Sequence, residues 1–512
     1  MTYRINVLAS WGAHVVVLLT GLILTPYIIR VAGEHAYGGW IVLNGIAGYS
    51  RLLYLGFGET ICRYAAKHSA DGDAEALNRV ASCTLAVYLG SACVALLVGL
   101  TLAWAAPSIG AFAASGLPID DIRLALVLLA MNAAVSISGS VYGGLLMGLQ
   151  RFDLERGTQT AVTVTRLVLT LVFLHTEQPL TTLAAIFLAV STIEVLLMRH
   201  FARRLLPGLK MRLALIDRAT VRETVGFSIF TSTAVISEQL VYSTDAIVIG
   251  GAIGLAAAGV YSIAHRLCEM LRQPIHQVGI VSLPRASELH ELETTAGKQS
   301  GELARFVLGA MSLSLLLTGG ALIGAAFFGD RLIRVWMAGS WSVETAEANL
   351  AMSFRIMLIL VAAQVIALPV GIMRKALVGI GFVKTPAKLV LAGALCNLGL
   401  SLLMVRPLGA IGVALGTLIP IVLIDAVLLL PLGMRQLAID PRVAAQEVIG
   451  RNLLPLAALL IYCLAAASLP IPENWATIAV ISGLGGAVTL VARFGTDILL
   501  RPQAVLRGGT SQ

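Results

Sequence analysis

Apolar runs of about 20 residues recur along the whole chain, and they constrain its fold more than any other feature. A helix of about 20 residues crosses the roughly 30 Å hydrocarbon core of a bilayer. Because a spanning segment must satisfy its own backbone hydrogen bonds, only helices and closed barrels can cross. The pattern predicts fourteen spans, with twelve or thirteen as alternatives, at about 9–31, 40–61, 80–104, 122–147, 158–175, 180–200, 226–250, 255–282, 303–328, 350–374, 388–405, 411–433, 453–470 and 475–500.

The composition excludes a soluble globular protein. The 512 residues are 58% hydrophobic and only 12% charged, and the mean hydropathy is +0.88. A soluble domain carries about 25% charged residues. We therefore expect an all-α polytopic membrane protein.

The positive charges are distributed unevenly between the two sides of the predicted membrane. With the N-terminus inside, most of the 36 Lys and Arg residues lie in cytoplasmic loops, while outer segments such as 105–121 contain none. This positive-inside bias predicts that both termini are cytoplasmic. The net charge of +8 is thus explained by topology, and we expect no nucleic-acid partner.

The chain contains an internal repeat. Gly33-x4-Gly38-Gly-Trp40 recurs as Gly254-x4-Gly259-Val-Tyr261, and a Gly148 turn recurs at Gly379. Parallel repeats related by an axis along the membrane normal are a transporter architecture. We expect two pseudo-symmetric six-helix lobes, at 1–220 and 221–440, and an additional helix pair with a cytoplasmic tail at 441–512.

A stripe of ionisable residues follows the second copy of this motif. His265, Glu269, Arg272 and His276 are spaced by four, three and four residues, which places them on one face of a helix. An ionisable side chain costs roughly 2.5–3.5 kcal/mol at the centre of a membrane helix. Glu269 and Arg272 are spaced to pair with each other on this helix, and the stripe must otherwise face partners or a wet cavity.

Two arginines lie several turns inside their predicted spans, Arg51 and Arg166. Neither has a carboxylate one turn away on its own helix. Guanidinium groups stay protonated and bind phosphate through two hydrogen bonds. The two residues are therefore predicted either to bind a diphosphate in a central cleft or to form salt bridges between the lobes.

Asp245 is the best carboxylate candidate for coupling transport to an ion, since it lies within an apolar span. Burial favours the protonated form of a carboxyl group, which would allow proton uptake and release. A structural pair with Arg266 is the alternative. The predicted ion-coupling set is Asp245, Glu269, His265 and Glu238. No motif for a cofactor, a metal or a catalytic site is present, so none is predicted.

At these motifs the chain resembles the polysaccharide, or O-antigen, flippases of the multidrug/oligosaccharidyl-lipid/polysaccharide exporter superfamily. The resemblance rests on two stretches: Gly33-x4-Gly38-Gly-Trp40 with Tyr49-x3-Leu53-x-Leu55-Gly56-Phe57-x5-Arg63, and Asp245-x3-Ile249-Gly250 with Gly259-Val-Tyr261-Ser-Ile-Ala264-x-Arg266-Leu267. The first span has His14 where drug exporters of this superfamily often carry an acidic residue.

The resemblance implies a flippase of the bacterial inner membrane that moves a polyprenyl-diphosphate-linked oligosaccharide to the periplasmic leaflet by alternating access. It also implies a polysaccharide polymerase and assembly machinery as partners. Within this framework, Arg51, Arg166, Arg266 and Arg272 are the predicted diphosphate-binding residues. The cargo would belong to lipopolysaccharide or another surface polysaccharide. A peptidoglycan-precursor flippase is an alternative, although such relatives are usually richer in arginine in the first lobe.

Two other function classes stay open. One is a cation-coupled small-molecule (multidrug) exporter. The other is a polytopic glycan polymerase or ligase, which would need a sizeable outer loop with positioned Arg or His residues. The largest predicted outer loop, Gly329–Asn349, contains Arg331, Arg334 and Trp336.

Overall fold

The computed structural model describes residues 2–54, 57–70, 73–218, 220–222, 239–240, 243–295, 301–470 and 472–500. Within these ranges, the side chains of residues 2–11, 13–14, 51, 54, 57–60, 68–70, 213, 276–284 and 497–500 lie outside the description. All regular elements of the described ranges are helical. The prediction of an all-α membrane protein is confirmed.

The described chain divides into two compact units, Met1–Gly259 with Gly339–Trp341, and Val260–Ala338 with Ser342–Gln512. The division proposed from the repeat, at 220 and 440, concerns internal symmetry and stays a prediction.

The first unit begins with eight α-helices. They are α1 Thr2–Ala32, α2 Glu34–Gly48, α3 Phe57–Ala70, α4 Ala74–Ala105, α5 Gly110–Ala113, α6 Ile119–Gly148, α7 Phe152–Phe173 and α8 Pro179–Leu205. Short 3₁₀ segments lie at Tyr49–Tyr54, Ala106–Ser108 and Leu213–Leu215. Residues 243–252 form a further helical stretch.

The helix α9, Leu255–Thr295, begins in the first unit and continues into the second. It is followed by α10 Glu302–Trp336, α11 Ala346–Gly379, α12 Lys384–Pro420, α13 Leu430–Gln436, α14 Pro441–Ala444, α15 Arg451–Ala467 and α16 Trp475–Leu500. Two π-helical segments, Ile421–Leu429 and Ala445–Gly450, continue α12 and α14.

Nine helical stretches of the described chain are long and apolar enough to cross a membrane. The stretch Lys384–Gln436 covers two predicted spans. Gly409 lies between these spans and has non-helical backbone angles. Most of the predicted span 226–250 lies outside the described residues. The number of spans, fourteen, therefore stays a prediction.

The predicted span 40–61 is not one continuous helix. α2 ends at Gly48, and the 3₁₀ segment Tyr49–Tyr54 follows before α3 begins at Phe57. The Tyr49 hydroxyl forms a short hydrogen bond with the Thr244 hydroxyl. This contact holds the start of the 3₁₀ segment against the helical stretch 243–252.

The core of the first unit forms around α6, which packs against α3, α4 and α8. Tyr88 of α4 and Ile137 and Leu145 of α6 are fully buried there.

Asp121, in the first turn of α6, is also fully buried. Its carboxylate accepts hydrogen bonds from the backbone N–H groups of Leu180 and Thr181, at 3.2 and 2.8 Å. It thereby caps the N-terminus of α8, where unpaired N–H groups favour an anion.

In the second unit, a buried polar network joins the two C-terminal helices to α10. The Asn452 side-chain amide of α15 donates to the Ser312 carbonyl oxygen at 2.8 Å. The Arg493 guanidinium of α16 donates to the Ser312 hydroxyl at 3.1 Å and to the Asn452 side-chain oxygen. A buried amide needs such partners, so the network determines how α15 and α16 pack on α10.

Candidate functional site

The two copies of the glycine motif contact each other in the first unit. Gly33 and Gly254 have positive φ angles of 86° and 136° and precede α2 and α9, respectively. A methyl group built on Gly38 would lie 1.8 Å from the Leu255 carbonyl oxygen, and one built on Gly259 would lie 3.4 Å from the Gly38 Cα atom. The first turns of α2 and α9 can therefore cross this closely only because small residues stand at equivalent repeat positions.

Trp40, the last residue of the first motif copy, begins a chain of contacts that ends on Arg166, a half-buried cation. Trp40 is 5% exposed, and its ring meets the Phe187 ring of α8 edge to face, at 4.9 Å between centroids. The guanidinium carbon of Arg166, on α7, lies 4.1 Å from the Phe187 ring centre. The aromatic pair therefore supports the flat guanidinium group from one side.

Arg166 retains unused hydrogen-bonding capacity. Its Nε atom is buried and has no hydrogen-bond partner in the described structure. The Glu194 carboxylate on α8 attracts Arg166 electrostatically, but no ion pair between them is formed. A buried guanidinium donor without a partner favours an incoming acceptor. This environment suits a phosphate oxygen.

A polar stripe on α7 leads toward Arg166 from the N-terminal end of that helix. Glu155, Gln159 and Arg166 are spaced by four and seven residues, so they share one face. Glu155 is only 5% exposed. It accepts a hydrogen bond from the Gln159 amide at 2.5 Å and forms an ion pair with Arg156 at 3.1 Å.

Sequence reasoning missed Glu155, Gln159 and Phe187. The four-residue spacing of Glu155 and Gln159 was a usable signal, but it fell at the edge of the predicted span 158–175. The side chain of Phe187 carried no signal of its own, because one aromatic residue in an apolar helix resembles any other core residue.

Arg51 lies in the 3₁₀ segment that follows α2, between the neighbours Ser50 and Leu52. Its side chain, like the whole of Glu238, lies outside the described residues. Asp245 is 2% exposed, which agrees with the expected burial. The adjacent Thr244 is the residue bonded to Tyr49, and the nearby Gln239 is 5% exposed.

The ionisable stripe of α9 forms in the second unit. Arg272 donates two hydrogen bonds to the Glu269 carboxylate, at 2.6 and 3.0 Å, and Gln273 adds a third at 3.4 Å. His265, one turn earlier, stacks on Tyr261 with ring centroids 6.3 Å apart. The expected pairing of Glu269 with Arg272 is thus present. Arg266 is partly exposed on a neighbouring face, and the side chain of His276 lies outside the described residues.

Within each unit, the structure gives the predicted residues their own surroundings. His265, Glu269 and Arg272 form one group in the second unit. In the first unit, Arg166 sits in its own environment of Phe187 and Glu194. Among the described residues, no group of three or more His, Cys, Asp or Glu side chains is arranged to hold a metal ion.

Comparison with known protein families gives one match. The sequence model of the family described as "Polysaccharide biosynthesis protein" matches residues 4–290, which is more than half of the chain. A comparison with curated protein sequences gives no match.

Several solved structures share this fold. The chain is similar to "Lipid II flippase MurJ, inward closed conformation", with 15% identity, 97% of this chain and 99% of that chain covered, and a TM-score of 0.74. An inward-facing multidrug resistance MATE family transporter of the MOP superfamily has 15% identity, 82% and 94% coverage, and a TM-score of 0.64. A MOP superfamily transporter from Pyrococcus furiosus has 15% identity, 83% and 95% coverage, and a TM-score of 0.52. The chain thus shares the fold of these proteins.

Proposed function

The chain belongs to the polysaccharide biosynthesis protein family, and from that premise we propose that it is a flippase for a polyprenyl-diphosphate-linked oligosaccharide. The observation that carries this proposal is the family match, on a chain with a transporter fold. A saccharide diphosphate cannot cross hydrocarbon unaided, because transferring charged groups out of water is costly. The protein would shield this head group while the polyprenyl tail stays in the bilayer.

Arg166 is the residue that we assign first to the diphosphate. Its buried Nε atom has no hydrogen-bond partner among the described residues, and the Phe187 ring packs against the guanidinium group. A pre-oriented guanidinium binds phosphate oxygens with less loss of side-chain entropy than a free one. Glu194 would then balance the charge of Arg166 when no cargo is bound.

The other predicted arginines differ in the contacts that they already make and in their exposure. Arg272 already gives two hydrogen bonds to Glu269, so it would have to share or exchange that partner to hold a phosphate. Arg266 is partly exposed and carries no such commitment among the contacts described. We include Arg51 because of its position beside Ser50 in the 3₁₀ segment.

We further propose that the two predicted lobes, 1–220 and 221–440, alternate in access and release the cargo on the periplasmic side of a bacterial inner membrane. Both termini would be cytoplasmic, as the positive-inside pattern predicts. Asp245, His265, Glu269 and Glu238 are proposed to couple this movement to an ion. Polymerase and assembly proteins would receive the cargo, and O-antigen is the proposed glycan class.

A cation-coupled exporter of small molecules is the second function class. One observation favours it: Glu155 and Glu194 interact electrostatically in the first unit, and a pair of carboxylates can exchange a cation for cargo. Glycan polymerisation has no comparable support, since Arg334, in the predicted outer loop, forms ion pairs with Glu347 and Glu473.

The test uses purified protein in liposomes that contain a fluorescent polyprenyl-diphosphate oligosaccharide. A membrane-impermeant quencher distinguishes the label in the two leaflets. We expect protein-dependent movement of the label, and loss of that movement in Arg166→Glu. A matched control is Arg204→Glu, at the exposed C-terminal end of α8. Transport of small organic cations without movement of the lipid-linked label would support the exporter instead.

A further inference from the structure

A cavity of about 260 Å³ lies in the first unit, between α2 with its 3₁₀ extension, α4 and α6. Its lining is apolar apart from Tyr49 and Ser50, and the Tyr49 hydroxyl is already bonded to Thr244. Water needs two to four polar partners to occupy a cavity. The cavity therefore favours an apolar occupant.

The cavity opens at a face of α4 that suits a lipid environment. Val94 and Val98 line it and are themselves 47% and 53% exposed. The other strongly exposed large hydrophobic side chains of α4 are Leu89, Leu97, Leu100 and Trp104. A contiguous apolar face of this kind on a membrane helix is stable against hydrocarbon. The mouth of the cavity would thus open into the interior of the bilayer.

Small side chains create the space behind this mouth. Ala130 and Ala133 of α6 line it together with Leu126 and Leu129, and all four are buried. The volume is below the roughly 300–1,000 Å³ typical of pockets that enclose a whole ligand. It suits part of a hydrocarbon chain better than a saccharide head group.

The 3₁₀ segment, which forms one wall of this apolar cavity, also contains a cationic residue. Ser50, Leu52 and Leu53 line the cavity, and Arg51 stands between them in the chain. An isoprenoid diphosphate combines a branched apolar chain with an anionic end. A bilayer phospholipid offers a less complementary match, since its head group carries one phosphate where the cargo carries two.

We propose that this cavity binds the isoprenoid chain of the lipid-linked cargo, in the part nearest to its diphosphate. The proposal rests on the proposed function, because it takes its occupant from the cargo of the flippase. It adds a lipid-binding site within the first unit to the head-group site assigned to Arg166.

The test uses the full-length protein in nanodiscs and a geranylgeranyl diphosphate that carries a diazirine in its first isoprene unit. After irradiation, mass spectrometry locates the adducts. We expect adducts on cavity-lining residues such as Val98 and Ala133. Val98→Trp should close the mouth and reduce labelling of α6 about tenfold, which corresponds to about 1.4 kcal/mol of binding.

Leu97→Trp is the matched control, because Leu97 is 64% exposed on the same helix and does not line the cavity. Both tryptophans enter at an exposed face, so both variants should fold; size-exclusion profiles check this. If Val98→Trp does not fold, Val94→Trp blocks the same mouth. Equal labelling in the Trp variants would overturn the proposal, as would adducts spread evenly along the exposed face of α4.

A phospholipid with a diazirine in its acyl chain tests the rival occupant. If it labels the cavity as efficiently as the isoprenoid probe, the site is a general lipid site and the proposal is wrong. The liposome assay separates this outcome from failure of the proposed function. Transport by the unaltered protein without cavity labelling would overturn only the cavity proposal. Cavity labelling without transport would overturn the flippase proposal and leave an isoprenoid-binding site whose ligand is not a transported cargo.

Discussion

The guanidinium carbon of Arg166 lies 4.1 Å from the centre of the Phe187 ring. Phe187 is held in turn by the edge-to-face contact with Trp40, the final residue of the first glycine motif. A motif that looks like a packing signal in the sequence therefore supports a half-buried positive charge in the structure. This link connects the family motif with the proposed diphosphate site.

We expect Arg166→Lys to reduce transport, although it preserves the charge. Lysine loses the contact of the guanidinium group with Phe187 and the paired donors that fit phosphate. A cation–π contact contributes about 0.5–2 kcal/mol, which corresponds to about a 2- to 30-fold change in affinity. Competition for binding by the lipid-linked oligosaccharide measures the change.

Phe187→Leu should weaken binding in the same direction as Arg166→Lys, because it removes the ring but keeps an apolar side chain. Arg204→Lys, at an exposed position of α8, should leave binding unchanged. If Arg166→Lys and Phe187→Leu bind like the unaltered protein and are equally stable, then Arg166 does not contact the cargo.

Gly38→Ala should severely impair folding or shift the crossing of α2 with α9. Its new methyl group would lie 1.8 Å from the Leu255 carbonyl oxygen, which is backbone and cannot rotate away. Gly90→Ala is the control, since nothing lies within 4 Å of a methyl group there. Yield and thermal unfolding in detergent compare the two. Equal stability of both variants would show that the crossing can widen without cost.

Asp121→Ala should lower the stability of the first unit by about 1–2 kcal/mol, the usual cost of losing an N-cap side chain. It leaves the Leu180 and Thr181 N–H groups without their acceptor. Asp121→Asn keeps an acceptor oxygen and should lose less. The neighbouring Asp120 is exposed, so Asp120→Ala should have little effect. Thermal unfolding distinguishes the three, and equal melting temperatures would contradict the capping role.

The Glu269–Arg272 pair should show a coupling free energy near the upper part of the 0.5–3 kcal/mol range for residues in contact, about 2 kcal/mol. A double-mutant cycle with Glu269→Gln and Arg272→Gln measures it. The side chains are 24% and 12% exposed, so solvent screens them only partly.

The same helix provides the reference pair for this cycle. Arg285 and Glu288 have the same three-residue spacing but are 50% and 58% exposed. We expect their coupling to be about 0.2–1 kcal/mol, as for other exposed pairs. A coupling at Glu269–Arg272 no larger than this reference would mean that its partial burial adds nothing.

Much of the fold could be predicted because hydropathy and helical spacing are local properties. The apolar runs predicted an all-α membrane protein, and the three-residue spacing of Glu269 and Arg272 predicted their pairing. The predicted helix over 40–61 was wrong in detail, since the 3₁₀ segment at Tyr49–Tyr54 interrupts it. The start of this segment is bonded to Thr244 through Tyr49, a contact between positions far apart in the chain that local sequence patterns do not predict.

The sequence by itself determined the class of the protein, the repeat of the glycine motif and the presence of charges within apolar spans. Only the tertiary structure decided that Trp40 and Phe187 support Arg166, that Gly38 meets Leu255, and that Glu155 is buried beside Gln159. The physical reason is that hydrophobicity acts on each segment independently. The environment of a buried charge depends instead on how helices cross, and side chains distant in the sequence determine those crossings.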